Sequence, residues 1–482
     1  MDWLDADGYW LARWIVQRGV AAVYLVAFVN ILAQWRPLLG ERGLTPAAEV
    51  AAAADRWLPT LFRHGVSDRH AIVVAWIGAG VSTTLVLGVP QAGPWWLPLI
   101  AFAVLWVLYL SYVTIGRVWY AFGWETLLLE AGVLAAFLGS DAVAPPWLVL
   151  LLIRWLVFRV EFGAGLIKLR GDACWRDFTC LEYHHETQPL PNRMSWWFHH
   201  LPRPLHRVEV AANHLTQLVM PFGLFAPQPV AGIAGATIIA TQAWLVLSGN
   251  FSWLNTVTMV LAVTALPDPW LSWVPVDPPV SVAPAPTGYV LLVVALTVMV
   301  IALSLRGPVR NLFSPRQRMN TSHDPLRLVN SYGAFGSITR VRYELVIEAT
   351  ADAEPLAKDA TWQAYEFRAK PGDPARAPRQ VAPYHLRLDW LMWFAAMDAV
   401  PTGHVWFQRL LSRLLAADPT VLRLLAHDPL DGGRPTAVRV LRYRYRFTTL
   451  QQRHQTGAWW MRDRRRLVVG PVLADAPSSS RR

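Results

Sequence analysis

Long apolar segments recur through the first 305 residues of the chain. A segment needs about 20 mostly apolar residues to cross a bilayer as a helix, and several of these segments carry Trp at their ends, as membrane helices do at the interface. The pattern predicts about nine membrane-spanning helices. The predicted spans are Gly19–Trp35, Ala71–Val89, Trp95–Thr114, Trp119–Gly139, Trp147–Leu169, Val208–Ala226, Val230–Gly249, Phe251–Leu266 and Gly288–Leu305.

The pattern changes after Leu305, where apolar and polar residues begin to alternate. Alternation with a period of two is typical of a strand that has one buried face. In the first such segment, Val341, Tyr343, Leu345 and Ile347 share one face, and Arg340, Arg342, Glu344 and Glu348 share the other. We predict strands over Ile338–Thr350, Thr436–Thr449 and Trp362–Arg368, and helices over Leu388–Asp398, His404–Ala417 and Val421–Ala426.

Composition agrees with a membrane protein. Hydrophobic residues make up 54% of the chain and charged residues only 16%, whereas an average soluble domain has roughly 25% charged residues. The predicted fold is therefore an α-helical polytopic membrane protein with a C-terminal soluble domain of mixed α+β structure. The predicted domains are a multi-pass helical membrane domain over residues 1–305, with a polar loop at 170–207, and a strand-rich soluble domain over residues 306–482.

Positive charge is concentrated in the C-terminal part. Residues 306–482 carry 28 Lys or Arg and 15 Asp or Glu, a net charge of +13, whereas residues 1–305 have a net charge of −2. Such an excess indicates nucleic acid, anionic lipid or an acidic protein as a partner. Because the Arg residues are dispersed, a solvated basic face explains them equally well. We expect contact with membrane lipid and none with nucleic acid.

Ionisable residues inside the predicted spans are the first candidates for function, because charge is costly in hydrocarbon. In the Trp147–Leu169 span, Arg154, Glu161 and Lys168 follow one another at intervals of seven residues, which places them on one helix face. The whole candidate intramembrane cluster is Arg117, Glu125, Glu130, Arg154, Arg159, Glu161, Lys168 and His214.

Two interpretations of this cluster are open. A network of buried ion pairs would fix the register of the helices, and paired charges are the usual state of ionisable groups in a span. A polar cavity would instead bind a substrate or relay protons, with a carboxylate near His214 as a general base. No motif decides between them, and no catalytic residue is assigned.

The polar loop at 170–207 holds both cysteines of the chain and five histidines. Cys174 and Cys180 would form a disulfide if the loop faces an oxidising compartment; two buried thiols are the alternative. A C-x5-C spacing without a second cysteine pair is not typical of zinc sites, so we predict no metal. The chain also lacks a Walker-type phosphate loop, a dinucleotide glycine fingerprint, a nucleophile elbow and an H-E-x-x-H motif, and no cofactor is predicted.

Six long blocks of the sequence resemble the lipase maturation factor family. They occur in the family's order and cover most of the chain. The membrane half is also distantly similar to vitamin K-dependent carboxylase-like proteins, but no carboxylase residue is carried over. The blocks are Gly116–Gly139, Phe158–Trp197, Asn330–Glu348, Tyr365–Pro374, Pro383–Met397 and Tyr443–Thr448.

The resemblance implies a protein maturation factor rather than an enzyme. Animal members of the family are multi-pass endoplasmic reticulum proteins that help dimeric lipases, such as lipoprotein lipase, reach their active fold, and their C-terminal domain is implicated in binding the client. A client protein such as a secreted lipase is thus an expected partner. Candidate client contacts are Trp390, Trp393 and Phe394, which suit a helix core equally, and the family-motif residues of the loop are Asp172, Trp175, Tyr183, His184, His185 and Glu186.

Two other functions stay open. An integral-membrane enzyme would act on a lipid or a quinone-like substrate at the intramembrane cluster, and the distinguishing observation is whether the charged groups converge on a cavity or pair off. A transporter has less support, because the sequence contains no visible inverted repeat.

Charge and family indicate opposite orientations. The basic connections Arg36–His70 and Lys168–Arg207 alternate with connections that lack Lys and Arg. With nine spans, the positive-inside rule therefore places the C-terminal domain in the cytoplasm. The animal members place that domain in the lumen, as a factor for secreted clients requires. The Ala- and Arg-rich composition favours a bacterial protein, so we expect a bacterial cytoplasmic membrane with the C-terminal domain outside.

Overall fold

The computed structural model describes residues 4–53, 59–279 and 282–474. It consists of a helical N-terminal half and a C-terminal region of strands and short helices, as the apolar and alternating patterns predict. The last eight residues of the predicted soluble domain, 475–482, lie outside the described residues.

In the described part of the N-terminal half, the chain forms fourteen α-helices. The long ones follow the predicted spans. Of the short ones, α11 (Met220–Gly223) and α13 (Leu254–Ala262) lie within predicted spans, and the others lie in the connections. They are α1 Trp10–Leu38, α2 Ala47–Ala53, α3 Asp68–Val86, α4 Trp96–Ile115, α5 Gly123–Ala136, α6 Trp147–Arg170, α7 Ala173–Arg176, α8 Leu181–Thr187, α9 Arg193–His199, α10 Arg203–Leu218, α11 Met220–Gly223, α12 Val230–Ser248, α13 Leu254–Ala262 and α14 Thr287–Arg306.

Five helical segments of the described chain are long and apolar enough to cross a membrane: Asp7–Leu38, Asp68–Val86, Trp96–Ile115, Val230–Ser248 and Thr287–Phe313. Large apolar side chains are exposed on their outer faces, among them Trp76 of α3 and Leu291 and Val298 of α14. A row of exposed apolar side chains on a long helix is stable when hydrocarbon surrounds it. The chain is therefore a multi-pass membrane protein.

The other four predicted spans are helical, but none of them is both long enough and apolar enough to be counted with these five. Helix α5 has 14 residues, which gives about 21 Å against a hydrocarbon thickness of about 30 Å. Helix α6 is long enough at 24 residues, but it carries several charges. Helices α10 and α13 have 16 and 9 residues. Length and composition thus leave the predicted count of nine open.

The C-terminal region contains one four-stranded antiparallel sheet and several short helices. Its elements are α15 Pro308–Phe313, β1 Thr321–Ser322, β2 Asn330–Ser331, β3 Arg342–Thr350, β4 Gln363–Ala364, β5 Glu366–Phe367, α16 Arg387–Met397, α17 Val405–Leu415, α18 Pro419–Leu422, β6 Leu425–His427, β7 Ala437–Phe447, α19 Leu450–Thr456 and β8 Trp460–Leu473. The sheet has the order β4-β3-β7-β8, with Leu345 of β3 opposite Arg442 of β7.

Three details of the C-terminal prediction are wrong. The predicted strand Trp362–Arg368 is two strands of two residues each, β4 and β5, which pair in different sheets. The predicted helix Val421–Ala426 ends at Leu422, and Leu425–His427 is strand β6. Strand β8 is not predicted at all, because its run of Arg residues hides the alternation.

The expectation that β3 has one solvated face is also wrong. Arg342 and Glu344 lie on the face assigned to solvent, yet both are fully buried. The loop at 170–207 covers them: Arg342 Nη1 donates to the Gln188 carbonyl at 2.5 Å, and Arg342 Nη2 donates to the Pro189 carbonyl at 3.0 Å. The polar face of β3 therefore packs against the membrane half and not against water.

One hydrophobic core runs through both regions of the chain. It includes Tyr24 of α1 and Leu128 of α5 together with Leu388 of α16 and Val440 of β7. In the N-terminal half the buried side chains belong to helix faces that turn away from lipid, and in the C-terminal region they belong to helices and to the sheet. Residues of both regions thus share one buried core.

Candidate functional site

Glu125, near the start of α5, forms a buried ion pair with Arg387 of α16. Arg387 Nη1 donates to Glu125 Oε1 at 2.7 Å, and Arg387 Nε donates to Asn30 Oδ1 of α1 at 3.0 Å. The hydroxyl of Tyr109 in α4 donates to the other Glu125 oxygen. One charge from the C-terminal region therefore joins three helices of the membrane half.

The backbone around Arg387 is held by two polar residues of α1. Asn30 Nδ2 and Gln34 Nε2 both donate to the His385 carbonyl, at 2.6 and 2.8 Å, and the Arg387 N–H donates to Gln34 Oε1 at 3.1 Å. Asn30 and Gln34 are four residues apart, so they share one helix face. Neither is predicted from the sequence as a site residue, although two amides at this spacing in an apolar span are a usable signal.

A second buried pair joins α5 to α6. Glu130 and Arg159 form an ion pair in which both side chains are almost completely buried. Glu130 Oε2 also accepts from the Asn330 N–H at 3.1 Å and from the Tyr332 hydroxyl at 2.8 Å, while Arg159 Nη1 donates to the Asn330 carbonyl at 2.7 Å. Residues around β2 thus complete the hydrogen bonding of a pair inside the membrane half.

Gly163 allows this close approach. A Cβ atom at Gly163 would overlap the Tyr332 carbonyl oxygen, and one at Gly165 would overlap the side chain of Leu218 in α10. Both glycines lie on α6 beside the charged residues, where small residues permit close packing. The neighbour of Gly163 is the C-terminal segment and not another membrane helix.

Arg154, Glu161 and Lys168 do not form the shared network that their spacing suggests. Among the described residues, no ion pair joins any two of them, because each turns to a different neighbour. Arg154 donates to the Thr264 carbonyl at 2.6 and 3.1 Å; Glu161 Oε1 accepts from Gln242 Nε2 at 2.6 Å; Lys168 Nζ donates to Asn213 Oδ1 at 2.8 Å and to Gln217 Oε1 at 2.9 Å. Amides and carbonyls therefore bond these charges in place of the ion pairs that one interpretation predicts, and Glu161 Oε2 has no hydrogen-bond partner among the described residues.

The two remaining members of the predicted cluster lie apart from it. Arg117 is exposed on a short 3-10 turn before α5. His214 Nε2 lies 3.0 Å from the Trp175 carbonyl of the loop. A cavity of about 470 Å³ lies elsewhere, between Pro59–His64 and Trp106–Ser111 of α4. None of the buried charged residues lines that cavity.

The loop at 170–207 is folded onto the C-terminal region. A disulfide joins Cys174 to Cys180. The Asp172 N–H donates to the Gly336 carbonyl at 2.8 Å, and Trp175 Nε1 donates to the Phe335 carbonyl at 2.8 Å. Further along, Trp196 Nε1 donates to the Thr448 carbonyl at 2.9 Å.

Three of the four remaining motif residues of the loop lie at this same contact. The Arg340 guanidinium lies over the Tyr183 ring. Glu186 Oε2 accepts from the Phe447 N–H of β7 at 2.7 Å, and burial raises the pKa of this carboxyl to about 7. Burial also lowers the pKa of His184 to about 3, and its ring packs against Phe335. His185 turns away from the sheet and contacts Glu209 of α10.

The three aromatic candidates for client contact differ in exposure. Trp390 is buried, and its ring packs edge-on against Trp124 of the membrane half. Trp393 is half-buried and donates from Nε1 to the Thr187 carbonyl at 3.0 Å. Phe394 is 40% exposed. Of the three, only Phe394 offers a substantial surface to another molecule.

Chemically, this arrangement binds the two regions of the chain to each other. The buried carboxylates accept hydrogen bonds from guanidinium, amide and hydroxyl groups of the protein, as buried charges must. The geometry agrees with polar contacts that close on other protein groups rather than line a cavity. Glu125 and Glu130 form ion pairs, whereas Arg154, Glu161 and Lys168 bond to uncharged groups. The centre of this arrangement of buried polar groups is the junction between the helical half and the C-terminal region.

Comparisons with known proteins agree with this division of the chain. Residues 11–273 match the model of the lipase maturation factor transmembrane domain, and residues 328–470 match that of the lipase maturation factor C-terminal domain. The chain is 39% identical to lipase maturation factor 1 of Bos taurus, over 98% of this chain and 90% of the bovine protein. It is 39% identical to lipase maturation factor 1 of Homo sapiens, over 96% and 88% of the two chains.

More distant relatives are proteins named lipase maturation factor 2. Lipase maturation factor 2 of Homo sapiens is 29% identical, over 94% of this chain and 81% of the human protein. No solved structure matches the chain. Because both family models match and the similarity runs through almost the whole chain, this protein belongs to the lipase maturation factor family.

Proposed function

We propose that this protein is a membrane-embedded maturation factor that assists the folding of a secreted lipase and binds this client through its C-terminal region. The observation that carries the proposal is the similarity to lipase maturation factor 1 through both regions and nearly the full length. A maturation factor needs a rigid platform beside the membrane. The buried pair Glu125–Arg387 supports such a platform, and so do the hydrogen bonds from Asn330 and Tyr332 to Glu130, since they attach the C-terminal region to the helices.

The edge of β8 is the part of that region best suited to a client. Within the described part of the chain, strand β8 pairs only with β7, so its outer edge leaves backbone N–H and C=O groups for another strand. An extended segment can add to such an edge by backbone hydrogen bonds. Because Arg462, Arg464, Arg465 and Arg466 are exposed along β8, the segment that fits is extended and acidic.

The experiment is a co-expression assay. A secreted lipase is produced with and without this protein, and the activity of the secreted lipase is measured per mass of lipase. We expect the full chain to raise this specific activity and to co-purify with the lipase. A variant with Arg465→Glu and Arg466→Glu is expected to lose both effects. The matched control is Arg434→Glu, an exposed Arg of the same region outside β8, which should behave as the unchanged protein.

Two results would contradict the proposal. If specific activity is the same with and without the protein, the maturation role fails. If the double variant captures and activates the lipase as well as the Arg434→Glu control does, the client binds elsewhere.

We further propose that the C-terminal region lies outside the cytoplasm of a bacterial cell, or in the lumen of a eukaryotic one. The loop at 170–207 and the sheet are in direct contact, so both lie on the same side of the membrane. The Cys174–Cys180 disulfide lies in that loop, and disulfides persist in oxidising compartments. The disulfide therefore favours the side of the membrane opposite to the one that the positive-inside rule predicts. That side is also the one where a maturation factor meets secreted clients.

The number of passes is proposed to be nine. Supporting this count, α5 contacts the C-terminal region at its start, through Glu125, and contacts the opposite face at its end, where Tyr289 of α14 donates to the Phe137 carbonyl. Helix α6 begins at Trp147 on that opposite face and ends beside the Phe335 segment. On this count, α5 and α6 both cross the membrane, with their charges buried inside the helix bundle.

A cysteine-accessibility scan tests the side of the C-terminal region and the crossing of α14. In a background where Cys174 and Cys180 are Ser, single cysteines replace Gln455 and Asp277, which are both exposed. A membrane-impermeant maleimide should label Gln455→Cys in intact cells and should label Asp277→Cys only after the cells are opened. The reverse pattern would place the C-terminal region in the cytoplasm. Labelling of both positions from outside would show that α14 does not cross the membrane, which contradicts nine passes.

The alternative, an integral-membrane enzyme for a lipid or quinone-like substrate, has less support. Its candidate residues include Glu125, Glu130, Glu161 and Lys168. Each of these is hydrogen-bonded to protein side chains, and the 470 Å³ cavity does not include them.

A further inference from the structure

Three side chains with metal-ligating atoms converge where the 170–207 loop meets α10. His206 and Glu209 are one turn apart on α10, so they lie on the same face, and His185 projects towards them from α8. One ligand atom of each residue lies within 4.8 Å of the ligand atoms of the other two. None of the interactions between the two regions described above uses this cluster.

The distances between these ligand atoms are close to those around a tetrahedrally coordinated ion. His185 Nε2 lies 3.3 Å from Glu209 Oε2, and His206 Nδ1 lies 3.9 Å from the same oxygen. Bonds of about 2.0–2.1 Å place the ligand atoms of a tetrahedral zinc ion roughly 3.3–3.4 Å apart. The distance of 3.3 Å already fits, the distance of 3.9 Å is about 0.5 Å longer than this range, and all three ligand atoms lie within 4.8 Å of one another.

The electrostatics of the cluster also require a proton or a cation between the His206 nitrogen and the Glu209 oxygen. The His206 side chain is 3% exposed, and its Nδ1 has no hydrogen-bond partner within the described part of the chain. A neutral imidazole nitrogen without hydrogen and a carboxylate oxygen both present lone pairs. Buried groups of this kind repel each other unless a proton or a cation lies between them.

The carboxylate is oriented by a second hydrogen bond. Trp244 Nε1 of α12 donates to Glu209 Oε1 at 2.7 Å, which leaves Oε2 directed at the two imidazoles. The ring of Phe198 packs against both His185 and Trp244 and walls the cluster on one side. Ligating carboxylates in metal sites are typically held by such outer hydrogen bonds.

We propose that His185, His206 and Glu209 bind one zinc ion, with water as the fourth ligand. Two imidazoles and one carboxylate are a ligand set that zinc uses in proteins. The Glu209 side chain is 13% exposed, which leaves an approach for the ion and the water. The bound ion connects α8 to α10 and, through Trp244, to α12. It therefore stabilises the loop that supports the C-terminal sheet.

The test uses the full chain purified in detergent with an affinity tag that contains no histidine. Zinc is counted by elemental mass spectrometry, and Zn²⁺ and Co²⁺ are titrated into chelator-treated protein while Tm and the visible cobalt spectrum are recorded. We expect one equivalent of metal, a higher Tm when metal is bound, and cobalt bands of a four-coordinate site.

Three variants sharpen the test. Glu209→Gln keeps the volume and an acceptor for Trp244, and it is expected to lose stoichiometric binding. Trp244→Phe is expected to weaken binding by about 10- to 100-fold. The matched control is His214→Gln, a histidine on the same helix that faces the Trp175 carbonyl instead, and it should bind metal as the unchanged protein does.

The proposal is overturned if chelator-treated protein takes up neither ion, because a shared proton then joins the three side chains. It is also overturned if Glu209→Gln, eluting as a monodisperse species, binds as much metal as the His214→Gln control. If Glu209→Gln fails to fold, the affinity of Trp244→Phe decides: an unchanged affinity would exclude this site.

Discussion

The guanidinium of Arg387 contacts α1, α5 and the turn before α5, and the residue is fully buried. Removing one partner of a buried ion pair leaves an uncompensated charge and costs about 3–5 kcal/mol. We therefore expect Arg387→Met to lower the free energy of unfolding by that amount, measured by denaturant or thermal unfolding in detergent. Arg316→Met removes an exposed charge of the same type and should leave the stability unchanged.

The double variant Glu125→Gln with Arg387→Met separates lost charge pairing from lost packing. Because it removes both charges, it should be more stable than Arg387→Met alone. Equal stability of the single and double variants would mean that the pair itself contributes little.

Asp418 makes the C-terminal region sensitive to acid. Burial acts to raise the pKa of Asp418, but hydrogen bonds from Thr420 and the charge of Arg413 outweigh it and lower the pKa below its ordinary value. A lowered pKa means that the stability this carboxylate contributes is present near neutral pH and is lost as the pH falls through the folded-state pKa.

Asp418→Asn should therefore lose less stability than the unchanged protein when the pH falls from about 5 to about 3. Since the group is partly solvated, we expect a difference below about 1 kcal/mol. Tm measured across this pH range checks it. Parallel curves for the two proteins would show that Asp418 does not contribute.

At the scale of elements, the 170–207 loop and β3 depend on each other. The loop supplies the carbonyls that satisfy Arg342, and β3 in turn covers the loop. The disulfide closes a short segment at the start of this loop, with Cys174 and Cys180 six residues apart. In the chain-entropy model, a closure of this length contributes roughly 2 kcal/mol.

We expect Cys174→Ser with Cys180→Ser to lower the stability by about 2 kcal/mol. A reducing agent should lower the Tm of the unchanged protein and leave the Tm of the double variant as it is. An unchanged protein that is insensitive to reductant would contradict a stabilising disulfide.

At the scale of the whole molecule, the C-terminal region depends on the helices for its buried surfaces. Without residues 1–305, Trp390 loses Trp124, and Arg342 loses the carbonyls of the 170–207 loop. We expect residues 306–482 expressed alone to show no cooperative thermal transition in circular dichroism. The same residues should co-purify with residues 1–305 when both are expressed as separate chains. A cooperative transition of the isolated region would show that it is an independent domain.

The strong repeating patterns of the sequence predicted most of the elements. Apolar segments of membrane length became helices, and the alternation in β3 and β7 became paired strands, because each pattern matches the period of its backbone. The charged residues of α5 and α6 were identified as buried groups for a similar reason, since a span offers them no water. Their partners Asn30, Asn330 and Arg387 were not identified, because they are distant in the chain.

The sequence by itself therefore determined that the chain crosses a membrane, that its last part forms strands, and which family it resembles. Only the tertiary structure decided that Arg387 and Asn330 enter the helical half, that both faces of β3 are buried, and that His185 meets His206 and Glu209. The physical reason is that hydrophobic periodicity is a local property of the backbone. The partner of a buried polar group, in contrast, is selected by the packing of segments that are hundreds of residues apart.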